Sequence, residues 1–155
     1  MSMTTGISGL VPTRSNFLFE VDGESIGLFA EVSGLEVNVD TVTYAEGGEN
    51  GYVHKLPGRL TWPNIVLRRG ITNSDALFEW VNKSAGPRFE SNRDKLERTT
   101  AAITLIADDG KRLRSWEMQG AFAVRWSGPT LSAGTDGAAS EELEIAHHGF
   151  TSKTF

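Results

Sequence analysis

The 155 residues contain no cysteine. That absence removes disulfides, thiolate nucleophiles and cysteine-ligated zinc together, and it fits a protein made in a reducing cytoplasm. Long apolar runs are missing too. None approaches the ~20 residues a membrane-crossing helix needs, so stable membrane insertion is not expected. The first 12 residues lack a basic start followed by an apolar block, so no secretory signal is expected there. Positive charge is sparse: 15 Lys and Arg stand against 20 Asp and Glu, a net −5. The densest basic cluster is Lys111-Arg112 with Arg114. Sequence-specific nucleic-acid binding, which needs a concentrated basic surface, is therefore not expected.

The motifs of common chemistry are equally scarce. The histidines are His54, His147 and His148. Neighbours on a strand point to opposite faces, so the His147-His148 doublet is a poor chelate, and no His-x-His or Glu-x-x-His spacing accompanies it. There is no Gly-x-Ser-x-Gly elbow, no Walker lysine and no Gly-x-Gly-x-x-Gly opening a helix. Glu141, Glu142 and Glu144 cluster, but in an alternating segment that reads as a solvated or subunit-pairing strand. No catalytic residue, metal ligand or cofactor is assigned.

What the chain does have is glycine, 17 residues of it, and alternation. The length suits one domain, read as a flexible arm over 1–14, a domain over 15–150 and a tail over 151–155. Phe17, Phe19 and Val21 share one strand parity. Ile26, Leu28, Ala30 and Val32 share another, with Phe29 the exception. After Ser33-Gly34, Leu35, Val37 and Val39 alternate with Glu36, Asn38 and Asp40. At Thr41 the apolar parity shifts to Val42 and Tyr44, as a β-bulge would cause. These runs predict a first long hairpin. Leu60 to Arg69 is a further strand, weakened by Pro63. Asp75 to Ala85 is the one helix, capped by Asn73 or Ser74, ended by Gly86-Pro87, and inward on Leu77, Trp80, Val81 and Ser84. Phe89 to Glu97 reads as a charged loop. Asp109-Gly110 turns a second long hairpin whose return strand, Lys111 to Trp126, bends at Gly120 and places Trp116, Met118, Phe122, Val124 and Trp126 on one side. A linker over Ser127 to Ala139 precedes a last strand, Ser140 to Phe150. The sum, about seven strands and one helix, is a mainly β (α+β) fold: an antiparallel β-sandwich or barrel with two long hairpins and one α-helix.

Between Glu46 and Arg59 lies a stretch shaped by Gly47, Gly48, Gly51, Pro57 and Gly58. It is longer than ordinary hairpin loops of ~2–5 residues. Either a structural Ω-loop or a contact surface fits it.

Taken in order, a set of segments resembles the inner tube proteins of contractile phage tails and phage-tail-like contractile injection systems. They are Phe17, Val32-Ser33-Gly34-Leu35, Tyr44 to Asn50, Lys55-Leu56-Pro57-Gly58, Ile65 to Thr72, the Leu77 to Val81 helix, Ile103-Thr104-Leu105, Asp108-Asp109-Gly110, Trp116, Ala121 and Glu141 to His147. One departure is Ala123, where the family often has proline. The resemblance implies a structural role: homohexameric rings stacked into a hollow conduit for cargo or DNA, driven by contraction of a sheath. Partners would be the chain itself, a sheath protein, baseplate, spike and tube-cap proteins, and cargo in the lumen. Assembly would occur in the cytoplasm, within a virion or a particle that becomes extracellular on release. With strand parity, the resemblance assigns Glu31, Glu36, Asn38, Asp40, Thr104, Glu117 and Gln119 to a negative lumen. It assigns Glu46, Gly47, Gly48, Glu49, Asn50, Leu56, Pro57 and Gly58 to an inter-ring or inter-subunit loop. A tube-initiator or baseplate relative and a type VI secretion tube protein are the neighbouring readings. A small β-barrel enzyme or ligand-binding module is the reading from another class, and it requires a pocket with convergent polar groups.

Overall fold

The computed structural model describes residues 16–44, 54–72, 74–85, 99–129 and 139–155. The sequence-based expectations for 1–14, Glu46 to Asn50, Phe89 to Glu97 and most of the Ser127 to Ala139 linker fall outside these residues.

Ten strands and one helix are described: β1 Asn16–Val21, β2 Glu24–Phe29, β3 Glu31–Ser33, β4 Asn38–Tyr44, β5 His54–Thr61, β6 Ile65–Gly70, α1 Ala76–Ala85, β7 Thr99–Ile106, β8 Arg112–Ser127, β9 Ser140–Ala146 and β10 Phe150–Thr154. Eight strands form one antiparallel sheet in the order β2-β1-β7-β8-β9-β6-β3, with β10 added beside β8. The two ends of that order, β2 and β3, are halves of one run broken at Ala30, whose N–H bonds the Arg68 carbonyl at 3.0 Å. The sheet therefore closes on itself. The long β8 is the second shared strand, pairing β7 and β10 along its first half and β9 along its second.

The core fills this barrel. Phe19, Phe29, Ile65, Leu67, Ile103, Met118, Leu143 and Ile145 have no more than 1% of their surface exposed. Phe19 meets Phe29 edge-on at 6.1 Å and Trp80 at 5.4 Å between ring centroids. Helix α1 packs against the barrel with Leu77 and Trp80, as its periodicity predicts, and the Ser74 hydroxyl accepts from the Ala76 N–H at 3.4 Å. Burial of these large side chains contributes ~1.5–3 kcal/mol each to the fold.

Several strand expectations change. The first predicted hairpin does not form: β3 pairs with β6, and β4 pairs instead with β5. The predicted Leu60 to Arg69 strand is interrupted at Trp62-Pro63-Asn64, where proline cannot donate to a ladder. In β2, Ile26 is an extra residue between the Phe19–Gly27 and Glu20–Ser25 pairs. That bulge turns Phe29 inward and leaves Leu28 51% exposed. The bend at Gly120 is present, at φ 60°, together with a register shift. Inward positions beyond it become Ala121 and Ala123, while Val124 is 43% exposed. A second shift between Ala123 and Arg125 brings Trp126 back against the core. The 151–155 tail is largely β10, paired with β8 from Phe150–Met118 to Thr154–Arg114.

Candidate assembly surfaces

The β4–β5 hairpin forms a separate two-stranded sheet. Every residue of β4 is exposed, and on β5 only His54 is partly covered. Yet Val39, Val42, Tyr44, Leu56 and Leu60 are each between 46% and 57% exposed. A bulge does lie near Thr41, between the Val39–Leu60 and Thr41–Pro57 pairs, but not within β4 as the apolar phase change suggested. The extra residue belongs to β5, because Gly58 and Arg59 lie opposite Asp40 alone. A Cβ on Gly58 would stand 3.0 Å from the Asp40 carbonyl oxygen, so glycine permits this close approach. Val39 and Leu60 consequently share one face, while Val42, Tyr44 and Leu56 share the other. Both faces carry apolar side chains, and among the described residues neither strand edge has a partner within the subunit. An isolated two-stranded hairpin is marginal in water, and an unpaired edge is a template for another strand. Leu56, Pro57 and Gly58 thus lie in a strand, not in a loop as the sequence suggested.

The root of the hairpin is tightly built. On the entering side, Gly34 has φ 89°, and a Cβ there would collide with the Asn64 carbonyl. Asn64 Nδ2 donates to Glu144 Oε1 at 3.1 Å. On the leaving side, Trp62 packs edge-on against Phe150 at 5.0 Å and His147 at 6.0 Å. His147 is 8% exposed. Its Nδ1 accepts from the Gly149 N–H at 3.0 Å, and its Nε2 lies 3.0 Å from the Pro63 carbonyl oxygen.

The residues assigned to a lumen are spread over several strands. Glu31 lies on the outward face of the β3–β6–β9 wall. Thr104, Glu117 and Gln119 lie on the outward face of the β1–β7–β8 wall. Glu36, Asn38 and Asp40 follow β3 into the hairpin. Thr104 is only 1% exposed, with Oγ1 donating to Ser115 Oγ at 3.3 Å. Within the subunit it has no surface to offer a channel. Gln119 Nε2 donates to Glu117 Oε1 at 3.1 Å.

The β3–β6–β9 wall carries a charge ladder. Arg68 sits between Glu31, at 3.6 Å, and Glu142, at 2.6 Å, and Arg125 approaches Glu142 at 3.6 Å. The hydrogen bond from Arg68 holds the Glu142 carboxyl below the usual carboxylate range, and the same bond raises Arg68. One residue further on, Arg69 and Glu141 point inward. Arg69 Nε bonds Glu141 Oε1, Trp126 Nε1 donates to Glu141 Oε2 at 3.1 Å, and the guanidinium lies 4.8 Å over the Phe29 ring. The Glu141 side of this pair was read from sequence as solvated. It is 9% exposed. The available signal was the matching of two charged doublets, Arg68-Arg69 and Glu141-Glu142, on alternating strands.

An open cleft of about 330 Å³ lies between α1 and the β1–β2 turn, with Trp80 and Ile26 beneath Asp22, Glu24, Glu79 and Lys83. Asp22 is engaged structurally, accepting from the Thr100 N–H at 3.2 Å. Among the described residues there is no cluster of three potential metal ligands and no helix long and apolar enough to cross a membrane.

Comparison with known proteins gives these features a context. No curated protein matches the chain. Among solved structures, a chain of the PVC sheath–tube complex of an extracellular contractile injection system, in its extended state, is 26% identical with a TM-score of 0.76, over 96% of this chain and 95% of that one. A chain of the anti-feeding prophage tube-terminating cap is 26% identical with a TM-score of 0.76, over 100% of both. Hcp1 from Flavobacterium johnsoniae, 17% identical with a TM-score of 0.50 over 90% of this chain and 96% of that one, shares the fold. A family model for the T4-like virus tail tube protein gp19 matches residues 13–151. The closed barrel, its single helix and its detached hairpin are the form that family takes here, and the chain belongs to the T4-like virus tail tube protein gp19 family.

Proposed function

We propose that this chain is the inner-tube subunit of a contractile injection system or phage tail, with six copies to a ring and rings stacked into a hollow conduit. The observation that carries this reading is the β4–β5 hairpin, a sheet separate from the barrel with apolar side chains on both faces and, among the described residues, both edges open. Copies of the same chain supply what it lacks: strands for the edges and apolar surface for the two faces, on neighbours within and between rings. Ring closure removes the open edges. The role is mechanical, a rigid pipe pushed through a target envelope as a surrounding sheath shortens, with baseplate and cap proteins at its ends. Assembly in the producing cell and later release within the particle follow from that role.

The channel lining proposed here is the charged wall with Glu31, Arg68, Glu142, Glu144 and Arg125, continued by Glu36, Asn38 and Asp40 into the hairpin. The side chains named are all polar or charged, and acidic residues outnumber basic ones, so cargo would meet a wetted, weakly negative surface. The opposite wall, with Leu18, exposed Leu28, Glu117 and Gln119, would then face outward, toward the sheath. The test is assembly itself. Purified protein should elute as large species and show hollow tubes by negative stain; a monomer at every concentration would count against the reading. In assembled tubes, Glu31→Cys should resist a bulky thiol reagent while Glu117→Cys reacts; the reverse pattern would exchange the two walls.

A further inference from the structure

We propose that the cleft between α1 and the β1–β2 turn is a socket for the β4–β5 hairpin of another copy of this chain. The inference rests on the proposed tube role and deepens it by naming the surface that the hairpin meets. The cleft has an apolar floor, made by Val21, Ile26 and Trp80, and three carboxylates around it, Asp22, Glu24 and Glu79. Lys83 is the sole basic group among the described lining residues, so the cleft is net negative. Asp22 is engaged by the Thr100 N–H, whereas among the described residues neither Glu24 nor Glu79 has an ion-pair partner. A second observation points to an occupant. Trp80 is 4% exposed, and its indole N–H is buried with no acceptor among the described residues. Buried donors are nearly always paired, so this one marks a place that something else completes.

One face of the hairpin carries the matching chemistry. Asp40 is the sole carboxylate among the hairpin's described residues, and it lies on the face of Val42, Tyr44 and Leu56. The other face, with Val39, Thr41, Thr43, Lys55 and Leu60, is apolar, hydroxylic and basic, and all five residues are exposed. Lys55 sits directly opposite Thr43, which puts an ammonium beside a hydroxyl. In the socket, Thr43 Oγ1 accepts from the Trp80 indole N–H, and Lys55 Nζ meets Glu79 and Glu24. The aliphatic stem of Lys55 then lies over Ile26. Among the described elements α1 packs on β2 and β8, not on the hairpin, so a second copy is the natural occupant. The contact is heterologous: each copy gives a hairpin and receives one at a different place, and the pattern repeats from copy to copy.

The native chain lacks cysteine, so single substitutions can report this contact. Thr41→Cys and Lys83→Cys are made in separate full-length proteins, which are mixed, assembled and treated with a short bis-maleimide. A covalent dimer on a denaturing gel then joins one copy's hairpin to another copy's cleft. That dimer is expected, and none is expected from Thr41→Cys mixed with Lys111→Cys, whose second site lies beyond the opposite end of β7 from Thr99. Independently, Lys55→Glu should raise the protein concentration needed for tubes about tenfold, because like charges then meet. Adding Glu79→Lys to the same chain should restore assembly. Tubes that form without the Thr41–Lys83 dimer, or with as much dimer from the control pair, overturn the socket and leave the tube reading standing. So does a K55E defect that neither Glu79→Lys nor Glu24→Lys relieves. Absence of assemblies from every protein, wild type included, defeats the tube reading and the socket with it.

Discussion

Arg69 and Glu141 meet inside the barrel, Nε to Oε1 at 2.5 Å, while the adjacent Arg68 and Glu142 meet outside it at 2.6 Å. Two doublets on neighbouring antiparallel strands thus make one buried pair and one exposed pair, because successive strand residues face opposite ways. Register between β6 and β9 is fixed on both faces at once: a slip of one residue would turn the buried Ile65 and Leu67 to the outside together with Arg69.

The inner pair is the costly one to break. Glu141→Gln leaves a buried guanidinium uncompensated and should destabilise by ~3–5 kcal/mol, lowering the midpoint of thermal unfolding by on the order of 10 °C. The double variant Arg69→Met with Glu141→Leu should recover most of that loss. A double variant no more stable than the single one would show that the pair is not the relevant interaction.

The outer pair behaves differently with pH. Glu142 has its carboxyl lowered by Arg68, so its contribution is present above the unfolded carboxylate range and disappears as pH falls through the lowered value. Urea titrations of wild type and Glu142→Gln should differ near neutral pH and converge in acid. Since the carboxylate is solvent-exposed, the difference should be small and shrink with added salt. Curves that diverge toward acid would contradict this assignment.

Gly34 and Gly110 both have positive φ, 89° and 83°, but only Gly34 is crowded. Gly110→Ala should cost about 1 kcal/mol, the backbone penalty alone. Gly34→Ala must also displace the Asn64 carbonyl, so it should cost more and disturb hairpin protection in hydrogen exchange. Equal effects at the two sites would argue that the root is not rigid.

Much of this fold was legible. The β7–β8 hairpin, its Asp109-Gly110 turn, the bend at Gly120 and helix α1 all follow from local patterns. The partner of β4 was not legible, because β3 and β5 were both available and pairing is decided by long-range packing of Leu67 and Val32 in the barrel. Phe29 was misplaced because one bulge at Ile26 reverses every following side chain. The lumen set drew on several strands, because parity orders residues along a strand but cannot say which side of a closed sheet they face. The His147 corner left only a doublet of histidines in the sequence, with nothing local to pair it with Pro63, 84 positions away.

Val42 and Leu56 sit opposite one another on an exposed face of the hairpin. The variant Val42→Lys with Leu56→Lys should leave subunit stability within ~0.5 kcal/mol per substitution, since neither side chain touches the core. It should nevertheless abolish large assemblies on a sizing column. Tubes of normal length from this variant would remove the hairpin from the assembly surface.

The most direct measurement is a cryo-EM reconstruction of the purified protein at a concentration where it assembles. The account predicts a hollow tube in which both faces of β4–β5 are covered by neighbouring copies and the Arg68–Glu142 ladder is wetted by the channel. Compact single subunits at every concentration, or a tube in which the hairpin projects into solvent, would contradict it.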